Sequence, residues 1–214
     1  VTRFIGLGGH LGAGKDAVAD YLVQYHDFTK IGMSDRLLVA TLAANPYIRV
    51  TLREALRLRF YVWPGFARAR TLVSAVGYVD AKTVKDFRHF MQKFGTEAGR
   101  DVHGENVWVD LIAKDIRALL DDGQNVVLTG VRFPNEVDMA NSIGETWYVN
   151  RPGHDGSGGG KGHSSESISA AHFHRLIRND GSLDDLRRLV SFTLREPQHN
   201  AFAHTDPAPP YLIG

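Results

Sequence analysis

The sequence predicts an α/β fold built on a central parallel sheet, and three observations carry that prediction. The first is an apolar run, Phe4-Ile5-Gly6-Leu7, leading into Gly9-His10-Leu11-Gly12-Ala13-Gly14-Lys15-Asp16. Glycines at this spacing let successive backbone N–H groups turn around a polyphosphate. A lysine follows, and a helix starting there points its positive dipole end at the anion. The second is Ala17, Val18, Tyr21, Leu22 and Tyr25, apolar side chains at helical spacing directly behind the lysine. The third is Asn125-Val126-Val127-Leu128-Thr129, apolar almost throughout, as a strand covered on both faces requires.

The remaining elements follow in order. Phe28 to Gly32 reads as a short second strand, after which Ser34 or Asp35 caps a helix through Leu37, Leu38, Ala40, Thr41 and Leu42. Residues 45–78 carry helical patches around Leu52–Leu58, a break at Pro64-Gly65 and many arginines, and read as a helical insertion beside the phosphate loop. A helix is expected from Asp80 to Met91. Val107, Trp108, Leu111, Ile112, Ile116, Leu119 and Leu120 mark the clearest amphipathic helix, ended by Gly123. After the strand at 125–129 come a helix from Asn135 to Ile143 and a strand from Glu145 to Asn150. Six glycines between Gly153 and Gly162 then predict a mobile loop, a lid over residues 151–165. Leu176 to Asn179 is the expected last strand and Leu183 to Leu194 the last helix. Alternating strands and helices with right-handed crossovers place ligand sites at the carboxyl ends of the strands, where Asp16, Asp35, Arg132 and Arg151 fall.

At 214 residues the chain is long enough for a full core, and one domain over 1–198 with an extended tail over 199–214 is expected. A net charge of +1 gives no global pull toward nucleic acid or membranes, so anion binding must come from local clusters. Without cysteine there are no disulfides and no thiol chemistry, which suits a reducing, cytoplasmic setting. The first residues lead straight into a strand, leaving no room for a signal peptide, and no run of about 18 apolar residues offers a membrane span.

Four segments together resemble the phage-type deoxynucleoside monophosphate kinases within the P-loop nucleotide kinases. They are the loop Gly9 to Asp16, with Asp16 where most such loops carry Ser or Thr; Met91-Gln92-Lys93-Phe94-Gly95-Thr96-Glu97-Ala98-Gly99-Arg100 with Val107-Trp108; Thr129-Gly130-Val131-Arg132-Phe133-Pro134-Asn135-Glu136; and His163-Ser164-Ser165-Glu166 with Asn179-Asp180-Gly181-Ser182-Leu183. The second and third are the specific ones. One departure stands out: the family often carries Asp at the place of Gly130.

The resemblance implies a three-layer P-loop kinase fold, ATP with Mg²⁺, and phosphoryl transfer to a deoxynucleoside 5′-monophosphate in a bacterial host's cytoplasm. Gly9, Leu11, Gly12, Ala13, Gly14, Lys15, Asp16 and Ala17 would bind ATP, with Asp16 at the metal or simply an acid at a helix start. Lys15, Arg132 and Arg151 would carry the transfer, though either arginine also reads as a surface ion-pair partner. Asp35, Gln92, Glu97, Arg100, Trp108, Arg132, Glu136 and His163 would hold the acceptor. Against those roles, Asp35 fits a helix cap, Trp108 an apolar stripe and Glu136 a first-turn acid. A kinase for another acceptor, such as dephospho-coenzyme A or a modified base in DNA, and a DNA-binding P-loop ATPase are the alternatives.

Two other clusters compete for attention. His154, His163, His172 and His174 surround the glycine-rich loop without the compact spacing of a zinc site. Arg49, Arg53, Arg57, Arg59, Arg68 and Arg70 form the dense basic run, with Phe60, Tyr61, Trp63 and Phe66 interleaved. Apolar packing of those rings is the expectation here, ahead of a nucleic-acid surface, so no nucleic-acid partner is assigned. The tail and the insertion are candidate contacts of a homodimer.

Overall fold

The computed structural model describes residues 2–153 and 168–197. In chain order the elements are β1 (Phe4–Gly8), α1 (Lys15–His26), β2 (Phe28–Gly32), α2 (Asp35–Ala44), β3 (Tyr47–Val50), α3 (Leu52–Arg57), β4 (Gly65–Arg68), α4 (Ala69–Ala81) and α5 (Lys85–Lys93). A π-helical segment, Phe94–Arg100, continues α5, followed by the short α6 (Asp101–His103). Then come α7 (Val107–Asp121), β5 (Asn125–Val131), α8 (Pro134–Ile143), β6 (Glu145–Asn150), β7 (Arg175–Arg178) and α9 (Leu183–Arg195). No described helix is long and apolar enough to cross a membrane.

The chain separates into two compact units, one of Val1–Gly32 with Asp115–Gly214, the other of Met33–Lys114. The first is built on a five-stranded sheet in the order β2-β5-β1-β6-β7, every neighbouring pair parallel. β1 lies at its centre, and all five of its residues are buried, which is why Phe4 to Leu7 reads as an unbroken apolar run. Ile5, Leu7, Val127, Trp147, Val149 and Ile177 from the strands meet Val18, Ala19 and Leu22 of α1 and Leu186 and Val190 of α9 in one core. Each such aliphatic side chain, taken fully out of water, contributes about 1.5–3 kcal/mol.

Polar clasps secure the edges of this unit. Arg175 on β7 bridges the buried Glu145 of β6 and Glu196 beyond α9, so a desolvated carboxylate is met by a guanidinium and not left unpaired. Ser182 and Asp185 form a reciprocal cap on α9: Ser182 Oγ accepts from Asp185 N at 3.2 Å, and Asp185 Oδ2 accepts from Ser182 N at 2.9 Å. The Ser182 hydroxyl and backbone N–H, with Arg188 beyond them, hold the Asp185 carboxyl down at about 2.

The second unit has its own core of Ile48, Val50, Ala55, Leu58, Leu72, Ala81, Val84, Phe87 and Met91. Here the structure corrects the expected helical insertion at 45–78. α3 and α4 are present, but β3 and β4 form an antiparallel pair between them. Ile48 and Val50 turn inward while Tyr47 and Arg49 turn out, a period of two over only four residues. The single helix expected from Asp80 to Met91 is likewise interrupted: α4 stops at Ala81, and Val84 precedes a new helix, α5.

Candidate active site

The loop between β1 and α1 is braced from behind. Gly9 has φ of 132°, and a Cβ there would lie 2.2 Å from the Val149 carbonyl oxygen, so glycine is required both by conformation and by the approach of β6. The Ala13 methyl is buried in the core. Asn179, at the end of β7, is itself buried and donates from Nδ2 to the Ala13 carbonyl at 2.9 Å. Its backbone N–H donates to Asn150 O at 2.8 Å, tying the ends of β6 and β7 to the same clasp. Gly14 caps α1 without a side-chain acceptor, so no capping side chain occupies the first-turn N–H groups.

Lys15 opens α1 and folds over the loop, its Nζ donating to Gly9 O at 2.7 Å and His10 O at 2.6 Å. Burial pushes the Lys15 ammonium below its ordinary pKa, the Arg132 guanidinium pushes the same way, and Asp16 opposes both. Asp16 is largely exposed, 85% by side chain, and only loosely tied to Lys30 at 3.5 Å; Lys30 sits closer to Asp20, at 2.9 Å. A carboxylate at the loop's end with its oxygens open to solvent suits a hard cation that shares the remaining ligands with phosphate and water.

Arg132 follows β5 directly, because that strand runs to Val131, beyond the expected end at Thr129. The extra length contains a bulge. Gly6 pairs with Leu128 and Gly8 with Val131, so β5 spends three residues where β1 spends two. Gly130 lies in the bulge at φ 84°. Asp and Asn are the L-residues most tolerant of positive φ, so this backbone would accept an acid as well as glycine. Glu136 is buried in the first turn of α8, and its Oε2 accepts from Arg132 N at 2.7 Å and Phe133 N at 3.2 Å. It fixes the backbone turn that presents Arg132, and thus acts as the capping acid. Arg151 stands exposed just beyond β6.

Five of the candidate acceptor residues, Asp35, Gln92, Glu97, Arg100 and Trp108, lie in the second unit, whereas Arg132 and Glu136 belong to the first. Asp35 is the first residue of α2, half-buried. Ser34 occupies the N-cap but makes no capping bond with its side chain; its hydroxyl accepts from Tyr78 OH at 2.9 Å. Gln92 is exposed in the last turn of α5, and Glu97 and Arg100 lie on the π-helical segment, Glu97 paired with Lys93 at 3.6 Å. One-turn π segments recur at functional sites because the extra residue re-aims the side chains that follow. Trp108 braces this segment: its Nε1–H donates to Gly95 O at 2.8 Å, and its ring fills the space that a Cβ on Gly99 would take, 2.6 Å away. Its polar handle is therefore spent on structure.

His163, nearly all of the expected lid and the tail lie outside the described residues. Of the histidine cluster, His172 bonds to Ser169 and His174 to Thr146, and among the described residues no group of acids and histidines could hold a metal between them. Asn179 and Val149 are the functional supports that sequence reasoning missed. Asn179 sat in a quoted motif, but its partner is 166 residues away.

A glycine loop at the head of a parallel sheet, with a lysine folded over it and an arginine just past the neighbouring strand, is the arrangement of a P-loop phosphotransferase. Residues 68–190 match the family model of deoxynucleotide monophosphate kinase. The chain belongs to that family, and it is a kinase that transfers phosphate from ATP to deoxynucleoside monophosphates. Similar solved structures include a dephospho-CoA kinase from Campylobacter jejuni (12% identity, TM-score 0.45, covering 90% of this chain and 96% of that one). Others are a Thermus thermophilus protein (16%, 0.46, 90% and 96%) and a sugar kinase from a Janibacter species (13%, 0.42, 91% and 95%). No curated protein matches the sequence.

Proposed function

We propose that the first unit binds ATP and that Lys15 and Arg132 stabilise the γ-phosphoryl group as it moves. The observation supporting this most is that Lys15 folds over the braced glycine loop, its Nζ donating to Gly9 O and His10 O, while Arg132 leaves the carboxyl end of β5, the strand paired with β1. Burial and, after it, Arg132 lower the Lys15 pKa. Holding like charges together costs energy that a bound polyphosphate offsets, and transfer chemistry asks the protein chiefly for position and charge. Backbone groups from Leu11 to Lys15 cradle the β phosphate. An oxygen of the acceptor's 5′-phosphate forms a bond to the γ phosphorus while the bond to the β-bridging oxygen breaks, giving ADP and a deoxynucleoside diphosphate. Asp16, with its exposed carboxylate, is the residue that would hold Mg²⁺, and the cation would supply charge neutralisation of the phosphates.

Asp35, Gln92, Glu97 and Arg100 bind the deoxynucleotide, Gln92 through the paired donor and acceptor of its amide and Arg100 through the monophosphate. Arg151 adds a further cation. The direct test follows label from γ-³²P ATP with each deoxynucleoside monophosphate in turn. Label is expected in a deoxynucleoside diphosphate, and release only as inorganic phosphate would overturn the assignment. For the metal, Asp16→Asn should raise the Mg²⁺ concentration needed for half-maximal rate; an unchanged titration removes Asp16 from the metal shell.

A further inference from the structure

We propose that the outer face of the β3–β4 sheet and the turn joining its strands bind single-stranded nucleic acid. The register sets Tyr47 beside Arg68 and Arg49 beside Phe66. With Ile48 and Val50 facing the core, these four share the outer face, aromatic and guanidinium alternating both along and across the strands. Tyr47 is 62% and Phe66 73% exposed, and on the joining turn Tyr61 and Trp63 are 69% and 75% exposed. The expected apolar packing of these rings is therefore not what the structure holds. The Arg68 guanidinium carbon lies 3.8 Å from the Tyr47 ring centroid, so the two stack on one surface, with Arg68 Nη1 donating to Asn45 O at 3.0 Å.

Charge and backbone point the same way. Between residues 45 and 70 the sequence has six arginines and one acid, Glu54, in a chain whose net charge is only +1. Asp86 is the carboxylate brought to this sheet, its Oδ2 accepting from Arg49 N at 2.7 Å. Among the described residues Arg49, Arg53, Arg57 and Arg59 are exposed and none is in an ion pair. Arg57 also lines a depression of about 430 Å³ with Lys82, Lys85 and Arg88 and no carboxylate. α3 ends in a turn where Phe60 N donates to Ala55 O and Arg59 N to Leu56 O, the pattern usually completed by a left-handed glycine. Here Arg59 (φ 51°) and Phe60 (φ 58°) both adopt that strained conformation, so the turn holds a cation and a ring where glycine would be easier.

Cations at this density neutralise phosphates and release their counterions, while exposed rings offer faces on which bases stack. A duplex hides its base faces, so the rings select an unpaired strand. A second copy of this chain, meeting the patch with itself, would set arginines against arginines. The stretch lies almost wholly before residue 68, where the family match begins. The inference is independent of the phosphoryl-transfer reading.

The test is fluorescence anisotropy of a labelled oligonucleotide of about 20 thymidylates, and of a hairpin duplex, with the full chain at about 50 to 200 mM salt. Binding of the single strand should weaken with salt, with a log–log slope of about −0.7 per phosphate neutralised. Trp63→Ala with Phe66→Ala should weaken it at least about tenfold, and Arg49→Gln should flatten the slope by about 0.7. Kinase turnover of each variant should match the parent, showing the fold intact. No anisotropy change, equal binding by parent and variants, or a duplex preference would each overturn the proposal. So would a protein dimer lost in the same variants without oligonucleotide binding, which would make the face a self-association surface.

Discussion

The two units handle their candidate ligand groups in opposite ways. In the first, the candidate ligand groups are the backbone of Gly9 to Lys15, fixed from behind by Val149, Asn179 and the buried Ala13. In the second, Gln92 and Glu97 stand exposed, and what is fixed is the helix beneath them, through Trp108 and Gly95. Every nucleoside triphosphate presents the same phosphates, and a rigid cradle of N–H groups reads them without adjusting. Bases differ at their edges, and exposed side chains on a re-phased helix can be exchanged without disturbing a core. Substitutions should therefore act on geometry and stability together in the first unit, and on acceptor affinity alone in the second.

The sharpest separation should come from Lys15→Ala, expected to lower kcat by at least about 100-fold, the range of a single electrostatic donor, with the fold retained. Near-normal turnover would take the loop out of the chemistry. Because burial and Arg132 lower the Lys15 pKa, the alkaline limb of kcat/KM for ATP should fall below 10.5, the ordinary lysine value. The linked stability runs the other way: between the folded pKa and that of the unfolded chain, the unfolded state binds more protons, so stability rises with pH across that window. A limb at the ordinary value would contradict the buried, cation-crowded setting.

Gly9→Ala comes next. Its Cβ meets the Val149 carbonyl at 2.2 Å, so a loss of at least about 2 kcal/mol in unfolding free energy is expected, with ATP affinity falling alongside. Urea titration measures this, and an unchanged midpoint would mean the loop is not braced by β6. Asn179→Ala removes the donor to Ala13 O and leaves a buried carbonyl unmet, costing about 1–3 kcal/mol. Its KM should rise for ATP more than for the deoxynucleotide. Equal rises would make Asn179 a general support. The smallest stability effect belongs to Gln92→Ala, within about 0.5 kcal/mol of the parent as for surface changes generally. Its KM for the acceptor should nonetheless rise several-fold at constant KM for ATP. If the ATP term moves as well, the contrast between the units fails.

Sequence alone revealed the loop, the sheet strands and the positions of Lys15, Arg132 and Arg151 because their signals are local: glycine spacing, apolar runs, and a residue's place just past a strand. The hidden parts depend on distant or short-range phase. Asn179 bonds to a residue 166 positions away, and no spacing rule connects them. β3 has four residues, two of them buried, too few for alternation to show among the surrounding arginines. The π-helical segment, with Gly95, Thr96 and Gly99 among its seven residues, has poor helix formers but no sequence mark that tells a π turn from a loop. Glu136 was legible as an acid near Arg132, but its work is on the backbone N–H groups of Arg132 and Phe133.

The bulge at Gly130 makes β5 a counting device. A strand presents successive side chains on alternate faces, so the one additional residue resets the parity of everything after it. With the count as it stands, Val131 closes the core and the next residue, Arg132, emerges in the open. Removing one residue would exchange those fates and turn a hydrocarbon outward where the cation is needed. The stretch from Leu128 to Arg132 is thus constrained in length before it is constrained in composition. A change of residue there alters a side chain, whereas a change of number alters which face the chemistry is on.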